Sequence, residues 1–249
     1  MIIDYHAHVW EGRGDVKDLI ENMDQNDVAI SVLHAIDVPG YASPEFVASL
    51  VRQYPDRLFG FANVDPREKG AADRLKRQLD TYGFKGLKLH PPLQGFSMAD
   101  PLLYPLIEVC IAYDVPVLFH TGCINAREYR SAYGDPAPID DLALRYPEVK
   151  IVLAHCEPTT PVPNLVFKHE NVYMDTAITL KEWLDVNPKF ATMLYERMGK
   201  PDRILFGTDH NPVRLHRLRG QIEAIRHSPI SPEHQELLFY ENAKRLLKL

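Results

Sequence analysis

Apolar positions along this chain follow two periodicities that take turns. Short runs rich in β-branched and aromatic residues are separated by stretches in which apolar residues return every three or four positions. The runs fall at Ile2–Val9, Val28–Leu33, Leu58–Val64, Phe84–His90, Val115–His120, Lys150–His155, Asn171–Thr176 and Arg203–Phe206. Helical spacing covers Asp15–Asn26 (Val16, Leu19, Ile20, Met23), the stretch from Ser43-Pro44 through Val51, Lys69–Tyr82, Pro101–Tyr113, Ile139–Tyr146 and Leu180–Met198. Two more helices are expected near Leu215–Arg226 and from Pro232, and the proline-rich Pro158–Asn164 leaves room for a short one only. Strict alternation of strand and helix predicts an α/β fold with a parallel sheet and helical crossovers. Eight strand candidates make a single closed (β/α)8 TIM barrel over residues 1–249 the expected architecture. An open doubly wound sheet is the alternative, but the glycine fingerprint that would follow an early strand is missing. No interior linker or repeat interrupts the pattern.

Composition narrows the function more than the fold. The chain has 249 residues, 45% hydrophobic and 25% charged, which suits one barrel of this kind. Its net charge of −6 is spread along the sequence, so neither nucleic acid nor an anionic membrane surface is an expected partner. No run approaches the ~18–20 apolar residues of a membrane span, and the first residues lack the basic and apolar regions of a signal peptide. Cys110, Cys123 and Cys156 form no CxxC pair, which fits a reduced, cytoplasmic setting. Arg13-Gly14-Asp15 is read as a chance tripeptide, and the lack of a GxSxG elbow disfavours a serine hydrolase.

The polar residues that end the strands are more informative. In Ile2-Ile3-Asp4-Tyr5-His6-Ala7-His8-Val9, the two histidines are two apart and so share one face of a strand. Lys88 and His90 end the fourth run, His120 the fifth and His155 the sixth, and Asp209 follows the eighth. Alternation puts Lys88 and His90 opposite Leu87 and Leu89, His120 on the face of Leu118, and His155 on the face of Leu153. Such barrels carry their active sites at the C-terminal strand ends, so residues up to about 200 positions apart would meet there. Neutral imidazole and carboxylate are the ligands of catalytic Zn²⁺ and similar first-row metals. One strand-end histidine is more often a satisfied core residue; this many in one predicted mouth point to a metal site.

His6-Ala7-His8, Gly86-Leu87-Lys88-Leu89-His90-Pro91, Phe119-His120-Thr121-Gly122, Ala154-His155 and Phe206-Gly207-Thr208-Asp209 together resemble the amidohydrolase superfamily. Their order is most similar to its amidohydrolase-2 branch, and the closing Tyr240–Leu247 resembles that branch's terminal helix. The resemblance implies one divalent ion in preference to two, most simply Zn²⁺ with Mn²⁺ or Fe²⁺ as alternatives, held by His6, His8, His120 and Asp209. It implies that His155 is the acid/base acting on metal-activated water, a role Asp209 could share. Lys88 is a carbamylated bridge to a second metal, with His155 among that ion's ligands, or an ammonium that binds substrate, or one paired with Asp209. Cys156-Glu157-Pro158 departs from the small residues that follow this histidine in many relatives. His90, Arg127, Arg130 and Glu157 are further substrate-binding candidates, and His34, His210 and Asn211 are read as loop hydrogen-bonders. The first expectation is hydrolysis of a small ester, lactone or amide; the alternative is nonoxidative decarboxylation of a small unsaturated or aromatic carboxylic acid. A homodimer would be in keeping with the branch.

Overall fold

The structure, a computed structural model, describes residues 1–124 and 126–249. Eight strands follow the predicted order: β1 (Ile2–Ala7), β2 (Val28–His34), β3 (Leu58–Phe61), β4 (Leu87–Leu89), β5 (Val117–Phe119), β6 (Ile151–Leu153), β7 (Val172–Asp175) and β8 (Ile204–Leu205). All pair in parallel with their sequence neighbours, as one ladder of β1 to β3 and another of β4 to β8. Backbone hydrogen bonds join the two ladders at both seams. Between β3 and β4, Ala62 N–H donates to the Gly86 carbonyl (2.8 Å) and Lys88 N–H to the Ala62 carbonyl (2.7 Å). Between β8 and β1, Tyr5 N–H donates to the Phe206 carbonyl (2.8 Å), Asp209 N–H to the His6 carbonyl (2.7 Å) and His8 N–H to the His210 carbonyl (2.9 Å). The strands therefore surround a common interior, as a (β/α)8 barrel requires.

Alternation along the strands divides the apolar residues into two cores. Ile3, Tyr5, Val32, Phe61, Leu118, Val152 and Leu205 fill the barrel interior, where Ala243, Leu246 and Leu247 of the last helix reach them. The other parity, including Leu33, Leu87, Leu89, Phe119 and Leu153, packs outward on the helices. Local chemistry sets the helix ends. Asp15 caps Val16–Gln25 by accepting from Lys17 N–H (2.9 Å), and Ser43 caps Pro44–Gln53 by accepting from Phe46 N–H (3.2 Å). Ala71–Tyr82 stops at Gly83, whose left-handed φ of 65° suits a residue without a Cβ.

One predicted helix is two. Leu180–Met198 divides into Thr179–Val186 and a second piece that starts at Lys189 and ends as a π-turn over Met193–Arg197. Pro188 explains the break: it has no N–H to donate and pushes Asn187 into an extended conformation (φ −153°, ψ 102°). Among the described residues, no helix is long and apolar enough to cross a membrane.

Candidate metal centre

His6 and His8 project from the end of β1 toward Asp209, and their ligand atoms lie within 4.8 Å of one another. The second nitrogen of each ring decides which tautomer is present. His6 Nδ1–H donates to Asp175 Oδ2 at 2.7 Å, and His8 Nδ1–H to the His34 carbonyl at 3.2 Å. Both Nε2 atoms are thus bare lone pairs, yet they stand 3.1 Å apart. Two lone pairs do not hydrogen-bond; they share a point that a cation can fill. Asp209 Oδ1 lies 3.3 Å from His8 Nε2 and 3.9 Å from His6 Nε2. This N,N,O donor set fits a first-row divalent ion. Burial holds the His6 imidazole well below its usual pKa, with Lys88 as the next cause, and takes His8 down to about 4. Both rings are therefore neutral, as ligands must be.

Three groups that the sequence reading passed over, two of them buried carboxylates and one a half-buried arginine, hold this arrangement. Asp175, at the end of β7, accepts from His6 Nδ1 and, through Oδ1, from the N–H groups of His155 and Ala177 at 3.0 Å each. Arg217 Nη1 donates to Asp209 Oδ2 (2.6 Å) and to the Asp209 carbonyl (2.8 Å). Asp4 accepts from the N–H groups of His6 and Thr208 and from the Thr208 hydroxyl, and pairs with His210 Nδ1 at 2.9 Å. Asp175 and Asp4 are fully buried. The strand-end rule that singles out the histidines applies equally to Asp175.

His120 stands outside the three-membered group and belongs to a second cluster. His155 Nδ1–H donates to the Ala177 carbonyl (2.9 Å), which leaves its Nε2 to accept from His120 Nδ1–H at 3.2 Å. His120 Nε2 is then a bare, buried lone pair with no partner. That orphaned atom suits metal ligation. The His120 ring stacks on His90 at 3.9 Å, and burial lowers the pKa of both. Lys88 is buried, with Nζ 3.5 Å from His6 Nε2, and burial lowers its pKa to about 8.

Simple alternation would send His155 outward with Leu153. Instead its backbone takes a left-handed φ of 67°, and the side chain joins the cavity wall. Asp209 has the same kind of conformation (φ 51°). Such backbones cost of order 1–3 kcal/mol in a non-glycine residue and persist only where the surroundings enforce them. Asp175 enforces the first by taking the His155 N–H.

Above these groups opens a cavity of about 680 Å³ whose walls include His8, His90, His120, His155, Asp209 and Glu157. Arg127 and Arg130 are exposed and are not among its walls; Arg130 lies over the Tyr133 ring instead. The cation on the wall is Arg214. His34 is not a loop residue but ends β2, buried, with Nε2–H donating to the Tyr5 carbonyl at 2.8 Å. Buried Asn211 accepts from Val213 N–H, so it does act as a loop hydrogen-bonder.

A family model described as Amidohydrolase matches residues 3–249. The chain belongs to the amidohydrolase family. It is accordingly an enzyme of that superfamily, and its parallel barrel is the fold of its structural neighbours. A curated relative, gamma-resorcylate decarboxylase from Polaromonas sp. (strain JS666 / ATCC BAA-500), is 26% identical over 246 residues, covering 82% of this amidohydrolase and 74% of the relative. A 5-carboxyvanillate decarboxylase from Novosphingobium aromaticivorans, solved with manganese and 4-hydroxy-3-methoxy-5-nitrobenzoic acid, superposes with a TM-score of 0.70 at 17% identity, covering 95% and 80% of the two chains. A probable 2-pyrone-4,6-dicarboxylic acid hydrolase from Acinetobacter baumannii reaches 0.71 at 18% identity, covering 100% and 99%.

Proposed function

We propose that this amidohydrolase is a metal-dependent nonoxidative decarboxylase of a small aromatic or unsaturated carboxylic acid. His6, His8 and Asp209 would hold one divalent ion, with His120 Nε2 as a fourth donor. The ion, Mn²⁺ or Zn²⁺, would supply Lewis-acid stabilisation of negative charge on a substrate oxygen. Charge balance is the observation that carries this reading. Lys88 is a buried ammonium with no carboxylate within ion-pair distance among the described residues. The Asp209 carboxylate is already paired with Arg217. With the buried carboxylates Asp4 and Asp175 counted beside Asp209, and Lys88 and Arg217 against them, a divalent ion added here leaves the centre with one net positive charge, which an anionic substrate complements better than a neutral ester or amide.

Proton handling fits this reading and leaves His155, not Asp209, as the proton carrier for either reaction. Hydrolysis needs a group that takes a proton from water at the metal. Asp209 is poorly suited, because Arg217 holds one of its oxygens and the other faces the two ring nitrogens. In decarboxylation the C–C bond to the carboxylate breaks, CO2 leaves, and the electron pair stays on carbon until a proton replaces it. His155 would deliver that proton. It lines the cavity, its Nδ1 is fixed to Ala177, and its Nε2, which accepts from His120 Nδ1–H at rest, is the atom that would carry the proton. The other histidines at the centre, His6, His8, His34, His90 and His120, are kept neutral by burial. The names of the gamma-resorcylate and 5-carboxyvanillate decarboxylases support this reading over the hydrolytic one.

The test is a panel of dihydroxybenzoates, carboxyvanillate, pyrone carboxylates, aryl esters and lactones, run with Mn²⁺- and Zn²⁺-loaded protein. CO2 release and the decarboxylated product are followed together. Decarboxylation of at least one acid is expected, abolished in His155→Gln with metal content retained. Turnover confined to esters or lactones overturns the proposal.

A further inference from the structure

Among the described residues of the cavity wall, Arg214 is the only lysine or arginine. We propose that Arg214, stacked on Trp10 at the cavity wall, binds a second acidic group of the substrate, so that this enzyme prefers dianionic aromatic or unsaturated acids to monoacids. The inference rests on the reading of the cavity as a carboxylic-acid site, and its test reads binding.

Arg214 is left free where its neighbours are not. Two other arginines of the same segment are paired, Arg217 with Asp209 and Arg219 with Glu223. Arg214 has no such partner among the described residues; its guanidinium lies 5.3 Å from the centre of the Trp10 ring. Stacking on an aromatic face leaves the donor edge of a guanidinium available for a carboxylate. The support is built rather than casual. Arg214 N–H donates to the carbonyl of buried Asn211 (2.8 Å), which fixes the turn after β8. Gly14, in the turn that carries Trp10, lies directly against Pro212, so a Cβ there would collide with it. The β1 and β8 loops are thus packed on each other, and they hold Trp10 and Arg214 as one unit.

The charges around the cavity follow barrel order. Glu157 and Glu182 come from the segments after β6 and β7, whereas Arg214, Trp10 and Tyr41 come from those after β8, β1 and β2, where the carboxylate on the wall, Asp209, is paired with Arg217. An acid group on the substrate is repelled from the first arc and attracted to the second. An aromatic ring would find Trp10 and Tyr41 beside the guanidinium. Substrate with its reacting carboxylate over the metal centre and a second carboxylate or phenolate toward Arg214 satisfies both ends.

Isothermal titration of the Mn²⁺-loaded 249-residue chain with benzoate, isophthalate and terephthalate tests this. Isophthalate or terephthalate is expected to bind the wild type at least about fivefold more tightly than benzoate. R214Q should bring the diacid to within about twofold of benzoate, while R214K keeps part of the preference. Equal binding of mono- and diacids by the wild type, equal weakening of both by R214Q, or no binding of any aromatic acid each overturns the proposal. Diacid preference without CO2 release from any acid leaves the subsite standing and removes the decarboxylase reading. CO2 release with the same KM for diacids in R214Q and wild type does the reverse.

Discussion

Asp175→Asn removes no atoms of consequence, yet it should disable the metal centre. In the wild type, Asp175 Oδ1 accepts two backbone N–H groups, from His155 and Ala177, at 3.0 Å each. An asparagine must keep its carbonyl oxygen there, because an NH2 group would meet two donors. Its NH2 is therefore forced into the place of Oδ2, 2.7 Å from His6 Nδ1. That nitrogen carries a proton in the wild type and would now face another donor. The ring can relieve the clash only by moving its proton to Nε2, which aims it at the point shared with His8 Nε2, 3.1 Å away. His6 then ceases to be a ligand. Loss of an outer hydrogen bond to a ligating histidine typically costs roughly 10–100-fold in metal affinity, and a reversed tautomer should reach the upper end. The lost charge-assisted hydrogen bond also removes about 1.5–3 kcal/mol of stability from the metal-free fold. Competition titration of Zn²⁺ or Mn²⁺ against a chromophoric chelator measures the first effect, and urea unfolding of the metal-free chain the second. A variant with wild-type metal affinity refutes the tautomer argument, whatever its stability.

Three other outcomes follow from the same geometry. A Cβ on Gly207 would stand 2.8 Å from His6 Cβ and 3.5 Å from that of Asp175, so Gly207→Ala should displace His6 and weaken metal binding about tenfold; unchanged affinity in chelator competition would contradict this. Arg217→Gln frees the Asp209 carboxylate from its ion pair, and metal affinity should fall about tenfold while the far-ultraviolet circular dichroism stays that of wild type. For the metal-free chain, burial lowers His8 from 6.5 to about 4, so the unfolded state binds the extra proton between these values. The contribution of neutral His8 is complete above pH 6.5 and is lost as pH falls toward 4, about 3 kcal/mol over the window, with His6, His34, His90 and His120 acting in the same direction. Urea midpoints that do not fall between pH 7 and pH 5 would show that these rings are not held neutral.

How much of this was legible in the sequence depended on whether a residue's role is local. Period-two spacing placed His6 and His8 on one face, and in the structure their Nε2 atoms do converge. It likewise put Leu87 and Leu89 outward and Lys88 inward, as observed. Parity failed at His155, because alternation holds only while the backbone stays extended and a left-handed residue resets it. Nothing local announces that conformation, since its cause is the Asp175 carboxylate 20 residues away. Pro188 is the opposite case: a local breaker sits in plain view inside an apolar period that reads as continuous. The arginines show a third limit. Arg127 and Arg130 follow His120 closely in sequence but lie off the cavity, whereas Arg214, itself exposed, lines it and Arg217 reaches Asp209, both from the last βα segment.

The hidden carboxylates also explain why closure of the barrel and assembly of the site are one event. β8 has two residues and makes no regular ladder with β1, so regular pairing alone gives the last seam little support. Side chains supply the rest. Asp4 on β1 takes the Thr208 hydroxyl and N–H beyond β8 and pairs with His210, while Asp175 on β7 grips His6 on β1 across the intervening strand. Gly207 allows this approach because a side chain there would fill the space between β1 and β7. Each buried carboxylate carries a desolvation cost that only a full set of donors offsets, and that set exists only when β1, β7 and the segment after β8 are in place. The His6, His8 and Asp209 group comes from two of those three segments. A chain that has closed the seam has therefore already oriented His6, His8 and Asp209, and an ion bound by them draws β1 and the β8 loop together in turn.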